Sequence, residues 1–439
     1  MSEHKSVSQA DIQCLLEGSA PCSDAGIAAV TVGTERLSAF LRDQYLKDYI
    51  PQGGSKLKFV CGRQGAGKTH FARQMMIEAK KLSYRVVHFS AANLSMHDFR
   101  EVYLEILRQC DIDCVLQGCA REAVRRMGYD PDTIRAGMKY VDMLAEQGEA
   151  DGLTLRSVRD CLRKMFIRNA RLDNSFAYCL SLLTGDILGH PVLEPQNREL
   201  LKRYLLGDKN VKMSQLRPLG FTPEKISKFN ARHMLRSLAE VVHIAGYSGI
   251  LVVIDDLDAL IHTASADNSV KYTPARRQDA YESLRQLIDD IDNMRYILFV
   301  LCLDRELLDN EAQGIKSYSA LWMRIQNEVI GKRFNSFADI LDLDRLADEE
   351  LTSEALVSMS EKLSMVLMEN GMQAYPIDLP MADALRDRAC YGGIGLPYMV
   401  NRQTLTPPAA LLENSPADED IPDFGKDATE TGEFENDRF

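Results

Sequence analysis

Residues 58–73 read KFVCGRQGAGKTHFAR. Within them Gly62, Arg63, Gln64, Gly65, Ala66, Gly67, Lys68 and Thr69 follow the spacing glycine, any four residues, glycine, lysine, then serine or threonine. A short strand over 56–61 runs straight into this turn, and 69–81 continues as a helix with Phe71, Met75, Met76 and Ala79 near one face. Glycines let the backbone curl so that successive N–H groups converge on one spot. The helix that follows adds its positive N-terminal end. Lys68 can then reach the β- and γ-phosphates of a nucleotide, and the Thr69 hydroxyl can ligate Mg²⁺. A chance glycine-rich turn would lack the strand before and the helix after. Residues 62–70 are the candidate ATP-binding stretch; for His70, a packing or solvent role on the helix is the plain alternative.

A phosphate loop of this kind needs a carboxylate at the end of another strand to hold the metal. Residues 250–256, ILVVIDD, supply it: Asp255 for Mg²⁺, and Asp256 where a catalytic base can polarise the attacking water, or act as a helix cap or solvated turn residue. Aspartate is shorter than the glutamate found there in many such ATPases, which points to slow turnover or a nucleotide switch. The apolar run 297–303 ends in Asp304, which can sit between the phosphate loop and Asp255 and sense the γ-phosphate, or simply end the strand. Arg324 and Arg333 lie where ATPases of this class place an arginine finger for a neighbouring subunit; each alone also reads as an ordinary surface arginine.

Outward from these motifs, 84–90 (YRVVHFS) is a further strand, 96–109 a helix, and 35–49 an amphipathic helix ended by Pro51-Gln52-Gly53-Gly54. Strand, turn, helix, strand in this order points to a parallel α/β sheet. From 110 to 240 apolar residues recur at helical spacing without long β-branched runs, the mark of a helical insertion. Residues 262–276 read as a polar mobile loop, 278–292, 350–371 and 381–390 as helices, and 406–439 as a disordered tail. The chain thus divides into a leader and helix (1–50), two parts of a nucleotide-binding core (51–110 and 246–345) around a helical insertion (111–245), a C-terminal helical subdomain (346–405) and the acidic tail.

The net charge of −12 does not exclude nucleic acid as a partner, because −7 of it falls in residues 401–439 and only −5 in the first 400. One stretch, 155–172, sets Arg156, Arg159, Arg163, Lys164, Arg168 and Arg171 opposite Leu155, Val158, Leu162 and Phe166. That is an amphipathic helix with a basic face, able to track a phosphate backbone, to stay solvated or to pair with neighbouring acids. The longest apolar runs fall far below the ~18 residues of a membrane span, and the polar start offers no signal-peptide core. Ten cysteines without a regular framework read as reduced thiols of a cytoplasmic protein; Cys110, Cys114 and Cys119 lack a fourth ligand at zinc spacing.

Taken in order, these segments resemble the BrxD family of ATP-binding proteins from bacterial BREX phage-defence systems. Residues 16–33 (LEGSAPCSDAGIAAVTVG) look like the family's leader, 58–73 its phosphate loop, 246–260 its second acidic strand, 281–293 (YESLRQLIDDIDN) its next helix, and 321–343 its segment with one arginine before an Arg-Phe-Asn stretch. The resemblance spans nearly the whole chain except the tail. It implies an α/β P-loop NTPase of AAA+/ASCE-like type that couples Mg·ATP binding and hydrolysis to DNA or to other phage-defence proteins, with double-stranded DNA and further copies of the chain as candidate partners. Two positions depart from the family pattern. Asp256 replaces a glutamate, and near Gly392-Gly393 a Pro-Arg pair is missing, Pro397 being followed by Tyr398, so Arg402 is left as the substitute lid arginine. The Asp255-Asp256-Leu257-Asp258 run also resembles STAND-type signalling switches, which turn over little ATP. A small-molecule phosphotransferase fits less well, because a long helical insertion speaks for macromolecular partners.

Overall fold

A computed structural model describes residues 7–407 apart from 136, 150–151, 263–269 and 330–333. The expected tail, Arg333 and the centre of the polar segment 262–276 therefore lie outside the described residues.

Five strands, β1 (Ser55–Gly62), β2 (Arg85–Ser90), β3 (Ile250–Asp255), β4 (Ile297–Asp304) and β5 (Ile340–Asp342), form one parallel sheet in the order β2-β3-β4-β1-β5. Parallel strands are covered on both faces, so they read as near-continuous apolar runs. Side chains alternate between the faces. Phe59, Val252, Ile254, Phe299 and Leu301 enter one core, whereas Val60, Leu251, Val253, Leu298 and Val300 enter the other. On the second face lie Phe71 and Met75 of the helix Lys68–Lys81 and Leu37, Leu41 and Leu46 of the N-terminal region. The register places Gly62 beside Asp304 and Ser90 beside Asp255, so the polar strand ends share one edge.

Residues between β2 and β3 are helical among those described, with long elements Ile112–Arg126, Asn174–Leu188 and Ala231–Ile244. Val115, Phe166, Phe176 and Leu238 belong to the same continuous core as Val252 and Phe299, so these helices close one face of the sheet. The helices Gln9–Leu16 and Ser353–Glu369 share a separate cluster through Ile12, Leu15, Leu363 and Leu367.

Several expected elements differ in extent. The helix over 35–49 is α-helical only through Glu35–Leu41 and π-helical through Arg42–Tyr49; the wider π turn lets Leu46 follow Leu41 into the core five residues on. The polar segment 262–276 is not a loop to its end: Thr273 caps a helix that starts at Pro274 and runs to Asp290, a Thr-Pro start signal. The expected helix 350–371 is Ser353–Glu369, capped by Thr352 and preceded by a separate helix Leu343–Glu350. The basic stretch ends as Gly152–Leu162 followed by the π turn Arg163–Ile167, so Arg168 and Arg171 lie beyond the helix, though still exposed. The three-residue β5 and the helix Leu396–Leu405 carry too little local pattern to be read from sequence.

Candidate functional site

Gly62 ends β1, and the chain turns through Gly65 at φ +77 and Gly67 at φ +90 before the helix begins at Lys68. Both angles lie in the left-handed region that glycine enters without strain. Gly65 is required twice over, since a Cβ there would come within 2.4 Å of Tyr398 Cβ. As helix N-cap, Gly67 offers no side chain, so the first N–H groups of the helix stay open. The Lys68 ammonium bends back over this loop. It donates to Arg63 O at 3.0 Å and Gly62 O at 3.2 Å, and it forms an ion pair with Asp304.

Asp255 ends β3 as a carboxylate 6% exposed, accepting the Asp256 N–H at 3.0 Å. Among the described residues no cationic side chain pairs with it. Asp256 sits in the left-handed region at φ 54, is exposed, and makes no capping hydrogen bond, so its side chain is free of the helix-cap role. Asp258, which sequence reading passed over as a site residue, turns toward the same place from the 3₁₀ turn Leu257–Leu260. Burial, with Asp304 as a second cause, pushes its carboxyl up to about 6. The run of acids after the strand was its only signal.

These groups line one cavity of about 550 Å³. Its lining is polar at the phosphate loop, Thr69, Asp255, Asp256, Asp258 and Asp304, and apolar at Val30, Val32, Leu351, Met359, Leu363 and the Tyr398 ring. None of the apolar wall was foreseen as site, because it is assembled from three distant segments. The C-terminal helices hold the loop directly: Gly395 N–H donates to Gln64 O at 2.8 Å, Tyr398 N–H to Gly65 O at 3.2 Å, and Arg63 Nη1 to Ala389 O at 2.5 Å.

Other expected positions fall differently. His70 lines the cavity, but its Nε2 is 2.9 Å from Thr31 Oγ1, whose own hydroxyl donates to Ile27 O. Burial pushes the His70 imidazole down to about 4, so it is neutral at pH 7 and brings no charge to a phosphate. Arg324, expected as a finger for a neighbouring subunit, is exposed and outside this chain's own cavity, 3.0 Å from Asp289 on the neighbouring helix. Arg402 is exposed and does not line the cavity; Tyr398 and Asn401 of the same helix do. Among the described residues Asp258, His262 and Asp304 bring ligand-type atoms within 4.8 Å of one another. The hard oxygens of Asp255 and Thr69 suit Mg²⁺ better than this mixed set, which includes an imidazole.

This mixed α/β architecture, with a glycine-rich loop heading a helix at the edge of a parallel sheet, is consistent with a P-loop nucleotide-binding protein. The family model described as BREX system ATP-binding protein BrxC/D matches residues 4–400. The chain belongs to the BrxC/BrxD family, and is thereby an ATP-binding protein of an anti-phage defence system. No curated protein and no solved structure matches it. No helix among the described residues is long and apolar enough to cross a membrane.

Proposed function

We propose that the chain is an AAA+/ASCE-like P-loop ATPase of the cytoplasm that couples Mg·ATP binding and hydrolysis to partner defence proteins or to DNA. The observation that carries this reading is the meeting of Lys68, Asp255, Asp256 and Asp304 on one cavity, with the β4 strand end lying between the phosphate loop and β3. The core is formed by 51–110 and 246–345, the insertion by 111–245, and a lid by 346–405.

On this reading the loop N–H groups of Gly65 to Thr69 receive the phosphates. Lys68 exchanges its ion pair with Asp304 for the β- and γ-phosphates, so Asp304 is the resting counter-ion of the lysine and registers the arrival of a third phosphate. Thr69 and Asp255 would hold Mg²⁺, which when bound draws negative charge from the phosphates. Asp256, exposed and making no helix-cap hydrogen bond, takes a proton from the attacking water; Asp258 is the runner-up because its raised carboxyl sits on the same cavity. The apolar wall around Tyr398 receives the base. Arg159, Arg163, Lys164, Arg168 and Arg171 are exposed and form no ion pair with described residues, which supports a nucleic-acid contact; Arg156 pairs with Asp160 at 3.9 Å.

The second reading, a STAND-like switch with little turnover, draws on the hydrogen bonds from Gly395 and Tyr398 to the phosphate loop, which tie lid position to nucleotide state. ATP hydrolysis by the purified protein, with and without double-stranded DNA and with Lys68→Ala as control, separates the two. Turnover that rises with DNA supports the motor or loader. Tight binding of ATP without turnover supports the switch, or a site that a partner or second copy completes.

A further inference from the structure

Cys14, near the end of the helix Gln9–Leu16, and Cys22, just before the helix Asp24–Val30, bring their Sγ atoms to 3.4 Å. Among the described residues this is the pair of thiols in contact; Cys61, Cys110, Cys119, Cys179 and Cys302 are buried in the cores.

The turn between the two is held at both ends. Asp11, fully buried, accepts the N–H groups of Cys22 at 2.8 Å and Ser23 at 2.7 Å, and the hydroxyls of Ser23 and Ser8 at 2.6 Å each. Burial opposes its charge, but these bonds outweigh burial and hold the carboxyl far below the usual range. Arg73, from the helix that starts at the phosphate loop, donates to Ala20 O at 2.5 Å and Pro21 O at 2.6 Å, and approaches Cys22 Sγ at 3.6 Å. The turn itself, Gly18, Ser19, Ala20 and Pro21, is a wall of the nucleotide cavity, and the Tyr398 ring packs against Gly18.

We propose that Cys14 and Cys22 are a redox-modified thiol pair whose disulfide fastens this wall and slows nucleotide exchange. The inference rests on the cavity being the nucleotide site. The oxidant is a peroxide. The exposed Cys22 sulfur attacks the peroxide oxygen, the O–O bond breaks, and the departing oxygen takes up the thiol proton and leaves as water, so that Cys22 becomes a sulfenic acid. Cys14 then attacks that sulfur, the S–O bond breaks and a second water leaves, so two thiols and one hydrogen peroxide give one disulfide and two waters. Bond formation draws the sulfurs from 3.4 Å to the ~2.05 Å of a disulfide, a small closure of an already anchored turn.

The test treats the full chain with hydrogen peroxide, alkylates free thiols and maps the peptides. It also follows release of a fluorescent ADP analogue before and after oxidation. Wild type and Cys114→Ser are expected to form the 14–22 bridge and to release nucleotide several-fold more slowly, with recovery on adding dithiothreitol. Cys14→Ser and Cys22→Ser are expected to release at the reduced rate throughout. Cys14 and Cys22 left alkylated while Cys114 or Cys390 oxidises would overturn the proposal, as would a bridge that leaves the release rate unchanged. If reduced wild type binds no nucleotide, the reading of the cavity fails, and the mapping still decides the thiol pair.

Discussion

Lys68 is paired with Asp304, and on the proposed function the phosphates of a nucleotide compete with that carboxylate for it, which organises the residue-scale expectations. Lys68→Ala removes a largely buried cation from the first turn of the helix Lys68–Lys81, outside the hydrophobic cores, so the fold is retained while nucleotide affinity drops roughly tenfold or more. Circular dichroism and a fluorescent-nucleotide titration check this; unchanged affinity would refute the site. Asp256→Asn is expected to keep nucleotide binding and lower turnover by ~10²-fold, measured as phosphate release; a mutant with full turnover moves the base to Asp258. Asp258 also carries a pH signature. Its carboxyl is raised to about 6, so at pH values between the ordinary carboxylate value and 6 the native state holds more proton than the unfolded chain. Stability from this group is present at low pH and is lost as pH rises through 6. Asp258→Asn should therefore stabilise the nucleotide-free protein by on the order of 1–3 kcal/mol at pH 7 and by much less near pH 4. Denaturant melts at the two pH values decide it, and an offset independent of pH contradicts the burial argument.

The phosphate loop and the helix Leu396–Leu405 behave as one unit at the scale of elements, joined through Gly65 and Tyr398. Tyr398→Ala removes the ring that packs on the loop and lines the cavity, and is expected to weaken nucleotide binding by about 1 kcal/mol or more. Tyr398→Phe keeps the ring and should bind as wild type does. Calorimetry on the pair tests this, and equal affinity for the alanine and phenylalanine variants would separate the helix from the site. The apolar runs of β3 and β4 are readable because buried parallel strands are apolar on both faces. The edge strand β5 was not, since three residues carry no period. The start of the helix Pro274–Asp290 was overlooked because its first turn is polar and only the Thr-Pro pair marks it.

Over the whole molecule, the helices between β2 and β3 pack onto the sheet through a shared core, and they carry exposed arginines that form no ion pair with described residues. Charge reversal at Arg159 and Arg163 together should weaken binding to double-stranded DNA and lower the slope of log affinity against log salt by about 2. Equal affinity and slope in wild type and mutant would leave partner proteins as the coupled species. What the sequence by itself determined is local: the loop 62–69, the strand leading to Asp255, and the helical character of the insertion. In each of these the chemistry and the period are contiguous along the chain. Only the tertiary structure decided that Asp304, 236 positions beyond Lys68, is its counter-ion, that Tyr398 rather than Arg402 reaches the loop, that Asp258 is a raised carboxyl, and that Cys14 meets Cys22. Proximity across the fold and removal from water depend on how elements pack, and no spacing along the chain encodes either.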